Sequence, residues 1–442
     1  MALKIKKKKD ADIKLAVITI LGTVGGRFDQ DLKKFVFVES TKKSIYVSKD
    51  KILKIKKDSY TNTLPLLIDS FDCDIIPIFT QDAKNIQLEV LQKLEQMGDK
   101  ISVLESGYLI KDEQDFEKIF HTINTIVNDT QYDRLIIDVT HGFRHLPLLM
   151  LIELMIVHFK DTSKIEKILF AKEEVKPIKE NNFVGKYDFI DLKEYLDIAN
   201  ISFILTNFAN NFTVSNHIQS TKYQKLIDAL NEFSNDIMAL SLNNLFTKSS
   251  ITLIEELKCI DNISIKLQST NLLEEIKRIT DYKGKKRYKT YFDLSELLVE
   301  KNYILLGISL MYESVRLYVK TTIKKSHKEI VEKVEKSLKN DLYSIGDFFI
   351  KFKNDYNYQQ FQKSYKDVLT QEEFVKIKNC FPQQVLNCYK FEINNNRDKS
   401  LLDTIAHSRN DLAHANSQKS FRDIKKNIQE VLNRYKEVCI EQ

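Results

Sequence analysis

The chain has no tryptophan, and only 10 glycines and 5 prolines among 442 residues. So few turn formers exclude a fold of many short strands joined by tight turns, and favour long helices. Cysteine is also sparse. Cys73, Cys259, Cys380, Cys388 and Cys439 are scattered, odd in number and without C-x-x-C spacing. That argues against a zinc centre or a disulfide framework, and for a reducing cytoplasm. Long apolar runs are missing too. "LPLLMLIELMIVHF" is too short to span a bilayer and is broken by Glu153, and the charged start "MALKIKKKKDADIK" leads only into "KLAVITIL". The reading is a cytoplasmic protein without a membrane segment.

What is present is enough apolar material for more than one core, 43% of residues, with 26 phenylalanines and 19 tyrosines. The length suggests two or three domains. A net charge of +6 is compatible with a nucleic-acid partner without establishing one. The first half alternates strand and helix patterns. Buried-strand runs occur at 14–21, 75–80 and 134–139, with shorter ones at "FVFVE", "SIYVS" and "KIEKILFA" and a further candidate at "ISVLES" (101–106). Helical patterns fall between them, including "TNTLPLLIDSF", "DFEKIFHTINTIVND" and "NIQLEVLQKLEQMG", the last closed by Gly98. This alternation predicts a parallel, doubly wound α/β sheet. Beyond about residue 190 the spacing is helical, starting with "DFIDLKEYLDIANISFILTNFANNF". The chain therefore divides into an α/β domain, residues 1–198, and an all-α domain, residues 199–442. The basic cluster "YKGKKRYK" (282–289) is expected to be an exposed loop.

In open α/β sheets ligands bind beyond the carboxyl ends of strands. Three such loops stand out: "LGTVGGRF" (21–28), "FTQDAKN" (79–85) and "DVTHGFRHLP" (138–147). Glycines in the first let backbone N–H groups approach a ligand. In the third, Pro147 sets a helix start, where free N–H groups favour anions, and Thr140, His141 and Arg144 add donors. Neither G-x-G-x-x-G nor a Walker loop is present, which disfavours ordinary NAD or ATP sites. His141 reads equally as a ligand contact or a turn-stabilising residue.

The segments "ILGTVGG", "FTQDAK" and "IIDVTHGFRHLP" resemble the CARF domain, the sensor of type III CRISPR ancillary proteins, over roughly residues 10–200. The resemblance implies a Rossmann-like fold and a dimer that binds a cyclic oligoadenylate across its axis. Cyclic tetra-adenylate is the expected ring, with hexa-adenylate as the alternative. The positions it assigns to the ligand are Gly22, Thr23, Gly25, Thr80, Asp82, Thr140, His141, Gly142 and Arg144.

Near the C-terminus, "LLDTIAHSRNDLAHANS" (401–417) admits two readings. As one helix, it puts Arg409 on the apolar stripe of Leu402, Ile405 and Leu412. Alternatively the helix restarts at Ser408, with Ser408 and Asp411 forming a capping box. His414 lies about 140° round a helix from Arg409. Histidine can move protons near neutral pH, arginine can stabilise a phosphate that gains charge, and RNA carries its own 2′-hydroxyl nucleophile. Taken alone, the stretch reads better as a capped helix with an incidental histidine than as a catalytic centre.

The segment 409–414 is similar to the R-x4–6-H motif of HEPN ribonucleases, and "LMYESVRLYVK" (310–320) is similar to a preceding HEPN helix. This resemblance, in the expected order after CARF, implies a metal-independent endoribonuclease acting on single-stranded RNA. It carries Arg409 over as the phosphate-binding group, Asn410 as the orienting group and His414 as the acid/base, in a site shared by two copies. The expected products carry a 2′,3′-cyclic phosphate and a 5′-hydroxyl. His407 is expected to be structural. Two alternatives remain at this point: a CARF-type sensor whose helical half binds DNA or a protein, and a ring nuclease that degrades its own activator.

Overall fold

A computed structural model describes residues 13–441 apart from 112–115, 141–149, 151, 153, 155–162, 176–183, 216–217, 221, 281–285, 340, 351–356, 380–384, 386, 389–390, 393–396 and 415–417. The chain divides into two compact units. One is Met1–Ile204 with Val214–Asp228, and the other is Leu205–Thr213 with Ala229–Gln442.

The first unit is built on an eight-stranded sheet. Its strands are β1 (Leu15–Ile20), β4 (Ser44–Val47), β5 (Ser59–Tyr60), β6 (Asp74–Phe79), β7 (Tyr108–Leu109), β8 (Arg134–Asp138), β9 (Ile165–Val175) and β10 (Lys186–Asp191). A separate hairpin pairs β2 (Gly26–Asp29) with β3 (Lys34–Phe37). The sheet order is β5-β4-β10-β9-β8-β1-β6-β7. Helices α1 (Thr63–Ser70), α2 (Gln81–Glu89), α3 (Ser102–Glu105) and α4 (Phe116–Val127) lie between the strands in sequence. Both faces of the sheet are buried. Ala16, Ile18 and Ile20 of β1 pack into one core and Val17 into the other, which is why "KLAVITIL" shows no polar alternation.

Four details differ from the sequence expectations. The sheet is mixed rather than parallel, because β10 runs antiparallel to β9 and β5 antiparallel to β4. The stretch Lys186–Asp191 is strand and not the start of a helix; its Phe189 fills one core, while flanking acids mask the pattern. Residues of "ISVLES" form the single turn α3, and edge pairing waits for β7. Gly107 explains the delay. A Cβ there would lie 2.7 Å from the Phe79 ring and from the Pro77 carbonyl, so the chain closes on β6 only at that glycine. The helical run from α2 continues as a π-turn, Val90–Leu94, and ends before Gly98, at Gln96 in the left-handed region (φ 56). The predicted helix at 146–159 lies largely outside the described residues.

Beyond the sheet the described elements are helical apart from a two-stranded ribbon, β11 (Phe391–Glu392) with β12 (Arg397–Ser400). The main helices are α5 (Lys193–Asn211), α6 (Gln224–Met238), α7 (Ser250–Lys258), α8 (Ile263–Thr280), α9 (Arg287–Glu300), α10 (Ile304–Ser326), α11 (Lys328–Ser337), α12 (Leu342–Ile350), α13 (Tyr358–Ser364), α14 (Gln371–Asn379), α15 (Leu401–Ala413) and α16 (Phe421–Tyr435). Of the basic cluster, 282–285 lie outside the described residues, whereas Arg287–Lys289 open α9 and Tyr288 is buried, so that part is not an exposed loop. Among the described residues no helix is long and apolar enough to cross a membrane. Cys388 and Cys439, 51 positions apart, are both buried with their Sγ atoms 3.5 Å apart as thiols.

The helical core is organised round α10. Met311, Val315 and Val319 of α10 pack with Phe348 and Phe349 of α12, Leu402 and Ile405 of α15, and Leu432 of α16. Helix α9 approaches α10 at Gly307, whose carbonyl accepts from Ser295 Oγ at 2.7 Å. A Cβ on Gly307 would stand 2.5 Å from Val299 Cγ2. Alanine is a better helix former by about 1 kcal/mol, but overpacking costs about 1–3 kcal/mol, and at this crossing the clash wins. Gly307→Ala is therefore expected to destabilise the protein by about 1–2 kcal/mol, read as a lower urea midpoint with unchanged m-value.

Candidate functional site

After β1 the chain forms the β2–β3 hairpin and the far-edge strands β4 and β5, then lays β6 and β7 on one side of β1 and β8 and β9 on the other. Strand order thus reverses between β1 and β8, the position where an open α/β sheet forms its ligand crevice. Thr19 and Asp138 face each other there as paired residues of β1 and β8. Asp138 is wholly buried. Its Oδ2 accepts from Thr19 Oγ1 at 2.8 Å and from Thr63 Oγ1 at 3.0 Å, and its Oδ1 accepts from Thr140 N–H at 3.1 Å. Thr63 is the first residue of α1, so the carboxylate lies at the positive end of a helix.

The loops after β1, β6 and β8 leave neighbouring parallel strands at one edge. Several of the predicted ligand positions have internal bonds there. Gly22 O accepts from Gln87 Nε2 at 3.0 Å, and Thr23 O accepts from Gly26 N–H at 2.9 Å. Gly25 is buried with φ 107, and a Cβ on it would come within 2.6 Å of Val90. Thr80 caps α2 by accepting from Ala83 N–H at 3.4 Å. Asp82 Oδ2 accepts from Phe35 N–H at 3.3 Å and so ties the β2–β3 hairpin to α2. Thr140 Oγ1 accepts from Ala171 N–H at 2.9 Å. His141, Gly142 and Arg144 lie outside the described residues.

Beneath these loops is a buried polar layer that the sequence reading passed over. Asn62 Nδ2 donates to Gln87 Oε1 at 2.8 Å, while Gln87 Nε2 donates to the carbonyls of Gly22 and Val24. Asn62 also caps α1 through Leu64 N–H. The available signal was a polar residue within an apolar strand run, Thr19 in "AVITI" and Asp138 closing "LIID".

In the helical unit, α15 is continuous from Leu401 to Ala413. The restart at Ser408 does not occur. The capping pair is Ser400 and Asp403, eight residues earlier: Ser400 Oγ accepts from Asp403 N–H at 3.2 Å and donates to Asp403 Oδ2 at 2.7 Å. Asp411, free of capping duty, faces exposed His407 with Nε2–Oδ2 3.3 Å. Arg409 is half-buried, as the one-helix reading implies. Its guanidinium carbon lies 4.8 Å from the centroid of Tyr312 on α10, and its Nη2 donates to Asn410 Oδ1 at 3.3 Å. His414 is the exposed C-cap, its N–H donating to Asn410 O at 3.0 Å. Arg409 therefore stands on α15 and His414 at its C-terminal end, positions that an ideal helix sets about 140° apart.

No family model and no curated protein matches the chain. Among solved structures the chain is similar to Enterococcus italicus Csm6 bound to cyclic hexa-2′-fluoro-hexa-dAMP, with a TM-score of 0.32 and 12% identity, covering 97% of this chain and 94% of that one.

Three substitutions test the local geometry. Asp138→Ala leaves two buried hydroxyls and an amide without their acceptor, and is expected to cost about 3 kcal/mol by chemical denaturation. Ser400→Ala is expected to cost about 1 kcal/mol through loss of the cap. Ser408→Ala should stay within about 0.5 kcal/mol, because Ser408 is mid-helix; the reverse ranking would restore the restart at Ser408.

Proposed function

We propose that the protein is an endoribonuclease for single-stranded RNA that a cyclic oligoadenylate switches on, of the CARF–HEPN kind and serving type III CRISPR defence. The observation that carries this reading is Arg409 and Asn410 on α15 with His414 at its C-cap, in a helical unit of a chain whose other unit reverses its strand order between β1 and β8. The domain division at 198/199 belongs to the same reading, with the sensor before it and the nuclease after it.

The chemistry uses each group for what its surroundings allow. His414 is exposed at the end of α15, where it can exchange a proton with water or substrate. Arg409 is half-buried, and its charge is oriented rather than free to rotate. The 2′-hydroxyl of RNA attacks the adjacent phosphorus, and the P–O5′ bond breaks. One histidine takes the 2′-hydroxyl proton while another protonates the departing 5′-oxygen. Arg409 balances the charge that builds on the phosphate, and Asn410 holds its guanidinium. The products carry a 2′,3′-cyclic phosphate and a 5′-hydroxyl. The angle of about 140° between Arg409 and His414 supports a site completed by a second copy, because one helix alone does not aim both at one phosphate.

On the sensor side, the cyclic oligoadenylate would lie over the loops after β1, β6 and β8, along Gly22, Thr23, Gly25, Thr80, Asp82 and Thr140, together with His141, Gly142 and Arg144. It activates only to the extent that it binds the active arrangement more tightly than the inactive one. The test is incubation of the full chain with single-stranded RNA in EDTA, alone and with cyclic tetra- or hexa-adenylate. One of the rings is expected to produce cleavage to 5′-hydroxyl fragments, and His414→Ala should lower the rate at least about a hundredfold. Equal cleavage by the His414→Ala variant, or no cleavage with either ring, would overturn the reading. Loss of the activator during incubation with the His414→Ala variant would assign a ring-opening activity to the sensor unit.

A further inference from the structure

Arg409 shares the Tyr312 ring with a second arginine. Arg316, one turn along α10, has its guanidinium carbon 5.3 Å from the same ring centroid, against 4.8 Å for Arg409. The two cations differ in access. Arg316 is 1% exposed, whereas Arg409 is half-buried. Arg316 is also fixed in place: its Nη1 donates to Glu313 Oε1 at 2.8 Å. It packs against α12 where Gly346 leaves room, since a Cβ on Gly346 would stand 3.0 Å from Arg316 Nε. A side chain held so deeply cannot reach a polynucleotide, but it can hold the ring.

We infer that Tyr312 is a positioning residue for RNA cleavage, its ring anchored by Arg316 and in turn fixing the guanidinium of Arg409 toward the scissile phosphate. The inference rests on the ribonuclease reading above. Its physical basis is the attraction of a cation to the face of an aromatic ring, which strengthens as water is excluded. Pre-aiming a long arginine removes rotamer entropy that would otherwise be lost in the transition state. The attraction is to the face of the ring, which phenylalanine presents as well as tyrosine.

The test compares wild type, Tyr312→Phe, Tyr312→Leu, Tyr312→Met and Arg409→Ala on single-stranded RNA with activator present, after thermal melts identify which variants are folded at the assay temperature. Tyr312→Phe should cleave within about twofold of wild type. Tyr312→Leu should lose about ten- to thirtyfold in kcat, the scale of a partly desolvated cation–π contact, with KM changed by less than about threefold. Its pH–rate profile should keep the wild-type midpoints, because His414 is untouched. Tyr312→Met serves as the second ring-free variant and is read in the same way if the leucine variant melts too early. Wild-type kcat in the ring-free variants, alongside an inactive Arg409→Ala, would overturn this inference and leave the ribonuclease reading standing. Failure of Tyr312→Phe to restore the rate would overturn it too. A wild-type protein that cleaves no RNA with either ring would remove both.

Discussion

The carboxylate of Asp138 sits without exposure to solvent at the point where the strand order of the sheet reverses. A buried carboxyl group is tolerated only when partners surround it, and here the donors come from three separate elements. Thr19 comes from β1, Thr63 from the first residue of α1, and the Thr140 amide from the loop that follows β8. One side chain thereby ties together two central strands, one helix start and one loop. The Asn62–Gln87 pair extends the same principle outward by holding the carbonyls of Gly22 and Val24, so the shape of the loop after β1 is set from below.

The helical unit solves a different problem, which is how to keep a cation near the core without losing it to the core. Helix α15 buries Leu401, Leu402 and Ile405, and the same face carries Arg409 one turn further on. Tyr312 gives that guanidinium an aromatic face in place of water. Half-burial then limits where the charge can point, while exposed His414 keeps access to protons. Within six residues the helix thus presents one shielded cation and one solvent-facing imidazole.

Much of this was legible in the residues. Apolar runs such as "KLAVITIL" and "RLIIDV" located the central strands, because strands buried on both faces leave an unbroken signal. The odd placement of Arg409 on an apolar stripe was visible from spacing alone. What the chain did not reveal were features set by distant partners. The antiparallel pairing of β10 depends on where β9 ends, and its acids hide it. The true cap of α15 at Ser400 competed with an equally good local pattern at Ser408, and only the packing of Leu401 and Leu402 selects the earlier start. Thr80 and Asp82 were recognisable as loop residues, yet the bonds that occupy them, to Ala83 and to Phe35, come from folding. The Arg316–Tyr312–Arg409 stack joins residues about ninety positions apart and left no periodic trace.

The borders of the sheet have a consequence for how copies of this chain can meet. An eight-stranded sheet with long outer strands would present rows of unpaired amides and carbonyls to any neighbour, an open template for fibril-like growth. Here the outermost strands, β5 and β7, are two residues long. Such stubs offer too little backbone for another chain to zip onto. At these two borders any contact with a neighbour falls to side chains, which can be selective and reversible where backbone pairing is neither.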